Sequence, residues 1–372
     1  MTGSDAAMST IHVLHENEAW VLPLRKAFAA RGLAHEEWFL GEGEVDLSST
    51  PPQGVFYNRM SASSHTRGHR YAPEHTAAVL AWLESHGRRV VNSSRALQLE
   101  ISKVAQYAAL ARHGIRVPRT VAAVGRESIL RAAQSFAGDA GEATPFVLKP
   151  NRGGKGLGVV RFDSLGTLAA HLEGPDFEPS PDGLTLVQEY IRAPDASIIR
   201  AEFVGGKFLY AVRVDTRQGF ELCPADACSA PKTGEACATP ESLEKGEDRP
   251  MFEILRGFHH PVLEQHRAFL AGSGIHIAGI EFILDGTGTP YTYDINTNTN
   301  YNPEAEAAAG VSGMDAIAGY LGRTLARVER EQSRISTKKR PNPASLPLPV
   351  PAQEAPGREQ SPLWGNPALA KA

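Results

Sequence analysis

The chain has 372 residues, 42% of them hydrophobic and 22% charged, and a formal net charge of −4. This composition is typical of a globular protein with apolar material for two or three structural units. The negative balance gives no basic field for nucleic acid or for an anionic membrane. No apolar run reaches the ~18 residues of a spanning helix, and residues 1–9 lack the features of a secretory signal, so we expect a cytoplasmic protein.

The first unit is predicted over residues 9–93, where short apolar runs alternate with helical patterns. The predicted strands are 11–14, 38–40, 54–57 and 90–91, and the predicted helices are 18–31 and 73–86. Strands that alternate with helices favour a small α/β unit with a mainly parallel sheet.

A second unit is predicted over residues 94–190. Its predicted helices are 94–112 and 127–136, and its predicted strands are 120–123, 146–148, 159–162 and 184–191. The Gly-rich stretch 151–158 interrupts this series between two strands. Gly114 and Pro118 follow the first helix, as expected after a helix end.

The third unit is predicted over residues 191–330. It contains strands 198–204 and 208–214 around a Gly-Gly turn, a helix over 261–271, a last hairpin and a helix from Gly313 towards Arg330. A loop-rich insertion is predicted over 216–248. Prolines recur beyond residue 331, so 331–372 is predicted to be a disordered tail.

Three cysteines, Cys223, Cys228 and Cys237, lie in the insertion. An odd and low number argues against a disulfide framework. The spacing contains no C-x-x-C pair and no fourth thiolate, so free thiols are favoured over a metal site.

The last hairpin places charge inside apolar strands. If Leu284 pairs with Tyr291, Glu281 lies opposite Asp294, and two facing carboxylates repel each other unless a cation lies between them. Asn296 falls on the same face because strand side chains alternate. Oxygen ligands of this kind suit magnesium or manganese beside nucleotide phosphates. The alternative is a polar edge in which one carboxylate pairs with Arg or Lys.

A second motif delivers cations to a Gly-rich turn. The strand 146–148 leads into Lys149, and Arg152 and Lys155 lie in the turn that follows. Glycines let backbone N–H groups approach phosphate oxygens, and the cations offset phosphate charge. The P-loop and Rossmann patterns are both absent. A third motif, the strand ending in Gln188-Glu189-Tyr190, can offer backbone groups to an adenine edge.

In this order and spacing the three motifs resemble the ATP-grasp superfamily, in its glutathione-synthetase and RimK-like glutamate-ligase branch. The resemblance covers about residues 90–325 and includes Ile-Arg-Ala-Glu-Phe-Val-Gly-Gly-Lys207. It implies an α/β and α+β ATP-grasp fold, with an N-terminal domain (9–93) before a central lobe (94–190) and a C-terminal lobe (191–330). It also implies ATP and two Mg²⁺ ions, with Mn²⁺ as an alternative.

The resemblance implies roles for residues at matching positions. The implied nucleotide-binding residues are Lys103, Lys149, Lys155, Gly156, Gln188, Glu189, Tyr190, Ile191 and, for the ribose, Asp195. The implied catalytic residues are Lys149, Arg200 and Arg213, and the implied metal ligands are Glu281, Asp294 and Asn296. Two departures stand out: relatives carry Asp-Ile-Arg where this chain has Ile-Ile-Arg200, and Glu-Val-Asn-x-Ser-Pro where it has Asp-Ile-Asn-Thr-Asn.

The implied activity is an ATP-dependent ligation that activates a carboxylate as an acyl phosphate and joins it to an amine, on a small molecule or a peptide. Arg59 and Arg67 could hold a substrate carboxylate, with His65 and Asn298 as further substrate contacts, although a plain surface loop explains residues 57–69 equally well. The alternatives are an ATP-grasp kinase of small alcohols and an inactive nucleotide-binding regulatory subunit. The substrates and any homo-oligomer stay open.

Overall fold

The structure is a computed structural model that describes residues 9–136, 145–217, 219 and 250–339. The three cysteines and most of the predicted insertion lie outside these residues. The chain divides into a compact unit of residues 1–330 and a second unit of residues 331–372. No helix within the described part of the chain has the length and apolarity needed to cross a membrane.

The first sheet is parallel, in the strand order β2-β1-β3-β4, which confirms the predicted parallel sheet. Its elements are β1 (Thr10–His15), α1 (Glu18–Ala30), β2 (His35–Phe39), β3 (Gly54–Asn58), α2 (Ala72–Ser85) and β4 (Arg89–Val91). Every residue of β3 is buried, as expected for a central parallel strand covered on both faces.

The predicted helix 94–112 is wrong as one element, because it divides into α3 (Ser94–Glu100) and α4 (Lys103–Arg112). Ser102 adopts an extended backbone, and its side chain accepts a hydrogen bond from the N–H of Ala105. A serine in this conformation is a strong N-cap. Lys103 is consequently the first residue of a new helix.

The second sheet is antiparallel, in the order β5-β8-β6-β7. Its elements are β5 (Thr120–Ala123), α5 (Arg126–Gln134), β6 (Phe146–Pro150), β7 (Val160–Phe162), α6 (Leu165–Glu173) and β8 (Thr185–Glu189). Helix α6 was not predicted. Apolar side chains of α5 and α6 pack on this sheet around Phe146 and Phe162.

The third sheet is antiparallel, in the order β11-β10-β9-β12-β13. Its elements are β9 (Ser197–Val204), β10 (Lys207–Asp215), β11 (Phe252–Leu255), α7 (Val262–Ser273), β12 (Ile277–Leu284), β13 (Pro290–Asn296), α8 (Pro303–Ala309) and α9 (Gly313–Lys339). Sequence patterns missed β11 and α8. Helix α9 extends to Lys339, so the predicted disordered tail is wrong for residues 331–339; the remainder lies outside the described residues.

The last hairpin contains a register shift that decides the position of its charges. Leu284 pairs with Pro290 rather than with Tyr291, yet Glu281 does lie opposite Asp294 as predicted. The two observations are compatible because Tyr293 is an extra residue on β13, where the register shifts between Glu281 and Phe282. A β-bulge of this kind re-aims side chains beside functional sites.

Asn92 connects the first sheet to the third. It lies just after β4 with φ of 59°, and Asn tolerates this left-handed conformation better than most residues. Its amide nitrogen donates to the carbonyls of Ile277 and Thr297, and its amide oxygen accepts from the N–H groups of His276 and Ile277. This fully buried side chain therefore anchors the strand β12 against the N-terminal domain.

Candidate active site

One face of the third sheet carries a row of charges. Arg200 on β9 pairs in register with Glu281 on β12, which in turn pairs with Asp294 on β13. Directly opposed residues point to the same face, and Glu202 shares it because it lies two residues beyond Arg200. The other face is apolar and packs with α7, around Phe203, Phe269 and Phe282.

Arg200 lies at the centre of this row and is buried. Its Nε donates to Glu202 at 2.6 Å, its Nη1 donates to Glu281 at 2.8 Å, and its Nη2 donates to the hydroxyl of Thr299 at 2.8 Å. These bonds fix the planar guanidinium between two carboxylates. Burial opposes its charge, but the two carboxylates raise the pKa of Arg200, so it stays a cation.

Two lysines from other elements, Lys103 on α4 and Lys149 on β6, approach the same carboxylates. The Nζ of Lys103 lies 3.3 Å from Asp294 Oδ1 and donates to the carbonyl of Gly153 at 3.2 Å. The ammonium of Lys149 lies between the rings of Tyr107 and Tyr293, 5.3 and 5.4 Å from their centroids. Burial, followed by the charge of Lys103, lowers the pKa of Lys149 to about 7.

Each carboxylate of the acidic pair has a cationic partner, Arg200 for Glu281 and Lys103 for Asp294, as the alternative of a paired polar edge predicts. Burial and the neighbouring charge of Asp294 raise the pKa of Glu281, although Arg200 opposes this effect. Glu281 also accepts from the hydroxyl of Tyr293 at 3.0 Å. Among the described residues no three His, Cys, Asp or Glu side chains gather as ligands. The side-chain oxygens of Glu281, Asp294 and Asn296 are of the kind that Mg²⁺ prefers, and their role as metal ligands stays a prediction.

The helices α3 and α4 hold the carboxylate strand from its free edge. Gln106 donates to the carbonyl of Ile295 at 2.9 Å and accepts from its N–H at 3.0 Å. The hydroxyl of Tyr107 donates to the carbonyl of Tyr293 at 2.8 Å. Glu100, which is buried, accepts from the N–H of Thr297 at 2.6 Å. These bonds satisfy an edge strand and position its side chains.

The Gly-rich turn lies against the N-terminal domain. Arg152 pairs with Glu74 at 2.7 Å, and the ammonium of Lys155 lies 5.1 Å from the Trp20 ring centroid. Lys155 and Gly156 both have positive φ, of 63° and 74°. The predicted phosphate contacts of these two residues stay predictions, since their contacts here are with protein.

The predicted adenine strand has most of its polar groups engaged within the protein. The side chain of Gln188 donates to the Thr120 hydroxyl at 2.7 Å. The Glu189 N–H donates to the carbonyl of Arg119, the Tyr190 N–H donates to that of Pro145, and Asp195 accepts from Ser197. Ile191 is buried at the end of this segment. Their roles towards a nucleotide stay predictions.

Arg213 is not brought into the cluster. On β10 it pairs in register with Ile199, whereas Val212 pairs with Arg200. Arg213 therefore points to the opposite face of the sheet from Glu281, and its guanidinium forms an ion pair with Glu253. Arg200, rather than Arg213, is the arginine that contacts the acidic pair.

The predicted substrate residues have separate surroundings. Arg67 makes a two-bond ion pair with Glu16, at 3.0 and 2.6 Å. Arg59 is 1% exposed and donates to Asn300 Oδ1 at 2.8 Å. Burial lowers the pKa of His65. Asn298 is buried, and its amide oxygen has no hydrogen-bond partner among the described residues.

Several residues of the cluster were not predicted. Glu202 could have been found, because it repeats the signal of Glu281: a charge two residues from Arg200 in an apolar strand. Tyr293 became a neighbour of Glu281 only through the bulge. Glu100 and Gln106 lie on helices where nothing in the local pattern separates them from surface polar residues.

Sequence comparisons find relatives over part of the chain. No protein-family model matches it. It is 38% identical over 145 residues to a tetrahydromethanopterin:alpha-L-glutamate ligase of Methanosarcina acetivorans, which covers 36% of this chain and 41% of that relative. It is 29% identical over 220 residues to a probable alpha-L-glutamate ligase of Aeromonas salmonicida, which covers 55% of this chain and 71% of the relative. The match to the first relative thus spans about two fifths of its length.

Solved structures share the fold over most of the chain. The ATP-grasp ligase PsnB, complexed with a minimal precursor, matches with a TM-score of 0.56 and 18% identity over 84% of this chain and 98% of that one. Another structure of PsnB contains Mg and ADP. Three sheets with a cluster of lysines and carboxylates between lobes thus define an ATP-grasp fold. A RimK domain ATP-grasp protein of Sphaerobacter thermophilus also shares the fold, with a TM-score of 0.53 and 19% identity over 83% of this chain and 99% of that one.

Proposed function

We propose that this protein is an ATP-dependent ligase that joins a carboxylate to an amine through an acyl phosphate. The observation that carries the proposal is the meeting of Lys103 and Lys149 with Glu281, Asp294 and Arg200 in one buried cluster. Cations from α4 and β6 face an acidic pair on β12 and β13. That arrangement suits a nucleotide triphosphate held with a divalent metal ion. The relatives named as glutamate ligases support the same reaction class.

In the first half-reaction, a carboxylate oxygen of the donor attacks the γ-phosphorus of ATP. The bond between that phosphorus and the bridging oxygen breaks, and ADP leaves with the electron pair. Both partners are anions, so the step needs positive charge around the transferred group. Lys103, Lys149 and Arg200 provide that charge from fixed positions.

In the second half-reaction, the amine nitrogen attacks the carbonyl carbon of the acyl phosphate. A C–N bond forms, the bond from carbon to the phosphate oxygen breaks, and phosphate leaves with that electron pair. The nitrogen gives up its surplus proton to the departing phosphate. Water must be excluded, because it would hydrolyse the acyl phosphate. The Gly-rich turn, which contacts Glu74 and Trp20, is the segment we propose to exclude water from the site.

Magnesium is the metal that the oxygen ligands suit, with manganese as its substitute. Glu281, Asp294 and Asn296 would hold it, and we propose two ions because the two carboxylates face each other. When bound, the metal offsets the charge of the terminal phosphates. Arg200 and Tyr293 each donate a hydrogen bond to the carboxylate of Glu281, so they would keep that carboxylate oriented towards the metal.

ADP release, measured with ATP and Mg²⁺ against a panel of carboxylates and amines, tests this function, with mass spectrometry of the products. We expect repeated turnover of ATP to ADP only when both a carboxylate and an amine are present, together with an amide product. Glu281→Gln should lower kcat by roughly 100-fold, because it removes half of the acidic pair. Glu264→Gln is the matched control, since Glu264 is a 72% exposed side chain on α7.

Three outcomes would count against the ligase. ADP formation with an alcohol, yielding a phosphorylated product and no amide, would identify a kinase. ATP binding without any turnover, and without an effect of Glu281→Gln, would identify a regulatory nucleotide-binding protein. Equal losses in Glu281→Gln and Glu264→Gln would mean that the carboxylate pair has no special role.

A further inference from the structure

The face that carries the acidic pair changes character across the sheet. Towards the edge strand β11 its side chains are apolar, with Val212 and Val214 on β10 beside Phe252 and Ile254 on β11. Towards β9 they become charged. A small cavity lies over this boundary, between the sheet and helix α8. We name it the β9–β11 cavity; its polar lining is Arg200, Glu202, Tyr210, Asn300, Tyr301 and Glu306.

Negative charge exceeds positive charge in this cavity. Arg200 is its one cation among the described lining residues, and each nitrogen of that guanidinium already donates, to Glu202, Glu281 or Thr299. Glu306 has no cationic partner within the described part of the chain. Its Oε1 accepts from Tyr210 at 2.5 Å and from the N–H of Gly313 at 2.6 Å, while no described donor reaches Oε2.

Two further polar side chains of the lining, Tyr301 and Asn300, have a polar atom without a hydrogen-bond partner among the described residues. Tyr301 is 92% buried, and its hydroxyl has no hydrogen-bond partner among the described residues. Arg59 donates to Oδ1 of Asn300, and no hydrogen bond to a described residue engages the amide nitrogen of Asn300. Buried hydroxyls are normally hydrogen-bonded, so an unpartnered one beside a carboxylate indicates a ligand.

The small cavity adjoins a larger groove. The cavity has a volume of about 20 Å³, and a groove of about 550 Å³ shares Phe252, Ile254, Asn302 and Ala305 with its lining. Water needs roughly 10–15 Å³ in such a cavity. The cavity therefore takes a group of the size of water, such as an ammonium, and the groove has room for the rest of the molecule.

We propose that the β9–β11 cavity binds the ammonium group of the acceptor, and that this acceptor is a primary amine with an apolar side chain. This inference rests on the proposed ligase function and names its second substrate. Glu306, Glu202 and the Tyr301 hydroxyl receive the ammonium protons. The apolar side chain lies along Phe252 and Ile254. An acidic side chain would meet the surplus negative charge and is disfavoured.

Three probes separate the amine from the side chain. L-leucinamide has both features, 4-methylpentanamide lacks the amine, and the α-amide of L-glutamate replaces the apolar side chain by a carboxylate. L-leucinamide and 4-methylpentanamide carry no carboxylate, so neither can bind as the donor acid, and the α-amide of L-glutamate keeps only its side-chain carboxylate. Calorimetric titration uses the full chain with Mg²⁺ and a non-hydrolysable ATP analogue. We expect L-leucinamide to bind roughly tenfold or more tightly than either other probe.

Substitutions then locate the binding. Glu306→Gln should weaken L-leucinamide roughly tenfold and leave 4-methylpentanamide unchanged. Tyr301→Phe should weaken it less, and it carries the test if Glu306→Gln fails to fold in a thermal melt. Glu264→Gln, on a different helix, should match the wild type. Equal binding of the three probes, or unchanged L-leucinamide affinity in both Glu306→Gln and Tyr301→Phe, would overturn the proposal.

Failure of this inference can be told from failure of the ligase proposal. Hydroxylamine traps an acyl phosphate without using an acceptor pocket. Hydroxamate formation in the wild type and in Glu306→Gln, with no preference for L-leucinamide, would preserve the ligase and reject the amine cavity. Absence of hydroxamate and of carboxylate-dependent ADP with every acid in the panel would reject the ligase itself.

Discussion

Substituting alanine for Gly279 would place a methyl group against the guanidinium of Arg200. A Cβ built on Gly279 lies 2.4 Å from Nη2 and 2.7 Å from Cζ of Arg200. Van der Waals contact begins near 3.5 Å, so the guanidinium must move by about 1 Å. Arg200 cannot move freely, because it is buried and its nitrogens are bonded to Glu202, Glu281 and Thr299.

A shift of that size breaks the 2.8 Å bond to Glu281. A hydrogen bond between charged groups is worth roughly 1.5–3 kcal/mol. If the bond acts during phosphoryl transfer, its loss lowers turnover by roughly 10- to 100-fold. We therefore expect Gly279→Ala to lower kcat for acceptor-dependent ADP release by that factor.

The matched control is Gly286→Ala, in the turn of the same hairpin, where a Cβ meets nothing within 4 Å. Thermal melts of both variants separate lost activity from lost folding. Turnover within twofold of the wild type in a folded Gly279→Ala variant would refute the role given to Arg200. An equal loss in Gly286→Ala would indicate a general effect on the hairpin.

Two further predictions concern Lys149 and Asn92. The pKa of Lys149 is lowered to about 7 in the free protein, and a triphosphate favours the charged ammonium. ATP binding should therefore take up a proton above pH 7, and affinity should fall up to about tenfold per pH unit as pH rises towards 9. Lys149→Arg should remove the pH dependence of ATP affinity. An ATP affinity of the wild type that calorimetry shows to be the same at pH 7 and pH 9 would contradict the prediction. Asn92→Ala removes the hydrogen bonds to the carbonyls of Ile277 and Thr297 and to the N–H groups of His276 and Ile277, so urea denaturation should show a loss of roughly 3 kcal/mol, whereas an unchanged midpoint would argue against the anchor.

The general plan of the fold could be predicted because its signals are local. Alternating strand and helix patterns predicted the parallel first sheet, and the Gly-Gly turn at 205–206 predicted the hairpin β9–β10. What escaped prediction depended on short elements. The strand β11 has four residues and the helix α8 has seven, too short for a clear period against their neighbours. The break at Ser102 was a capping signal inside a continuous helical pattern.

The acidic pair could be predicted because burying a charge in an apolar strand is unfavourable unless the charge has a partner. The prediction reached the correct pairing through an incorrect register, and the bulge at Tyr293 compensated for the shift of one residue. Arg213 shows the limit of reading roles by position along a strand. Arg213 follows Val212 directly in the chain. Because side chains alternate along a strand, Arg213 lies on the opposite face of the sheet from Val212 and Arg200.

Partners across the fold were beyond sequence patterns. Nothing local indicates that Asn92 meets Thr297, or that Arg67 is committed to Glu16 rather than to a ligand. These contacts join segments that lie far apart in the chain, and tertiary packing selects them from many polar residues of similar type. Composition and spacing therefore predicted the facing of Glu281 and Asp294 but not the residues that support them.

A crystal structure with ADP and Mn²⁺, recorded at the manganese absorption edge, tests the central claim most directly. We expect an anomalous peak within about 2.2 Å of carboxylate oxygens of Glu281 and Asp294, with the diphosphate within hydrogen-bond reach of Lys103 and Lys149. A manganese peak distant from both carboxylates, or a diphosphate distant from both lysines, would contradict the account.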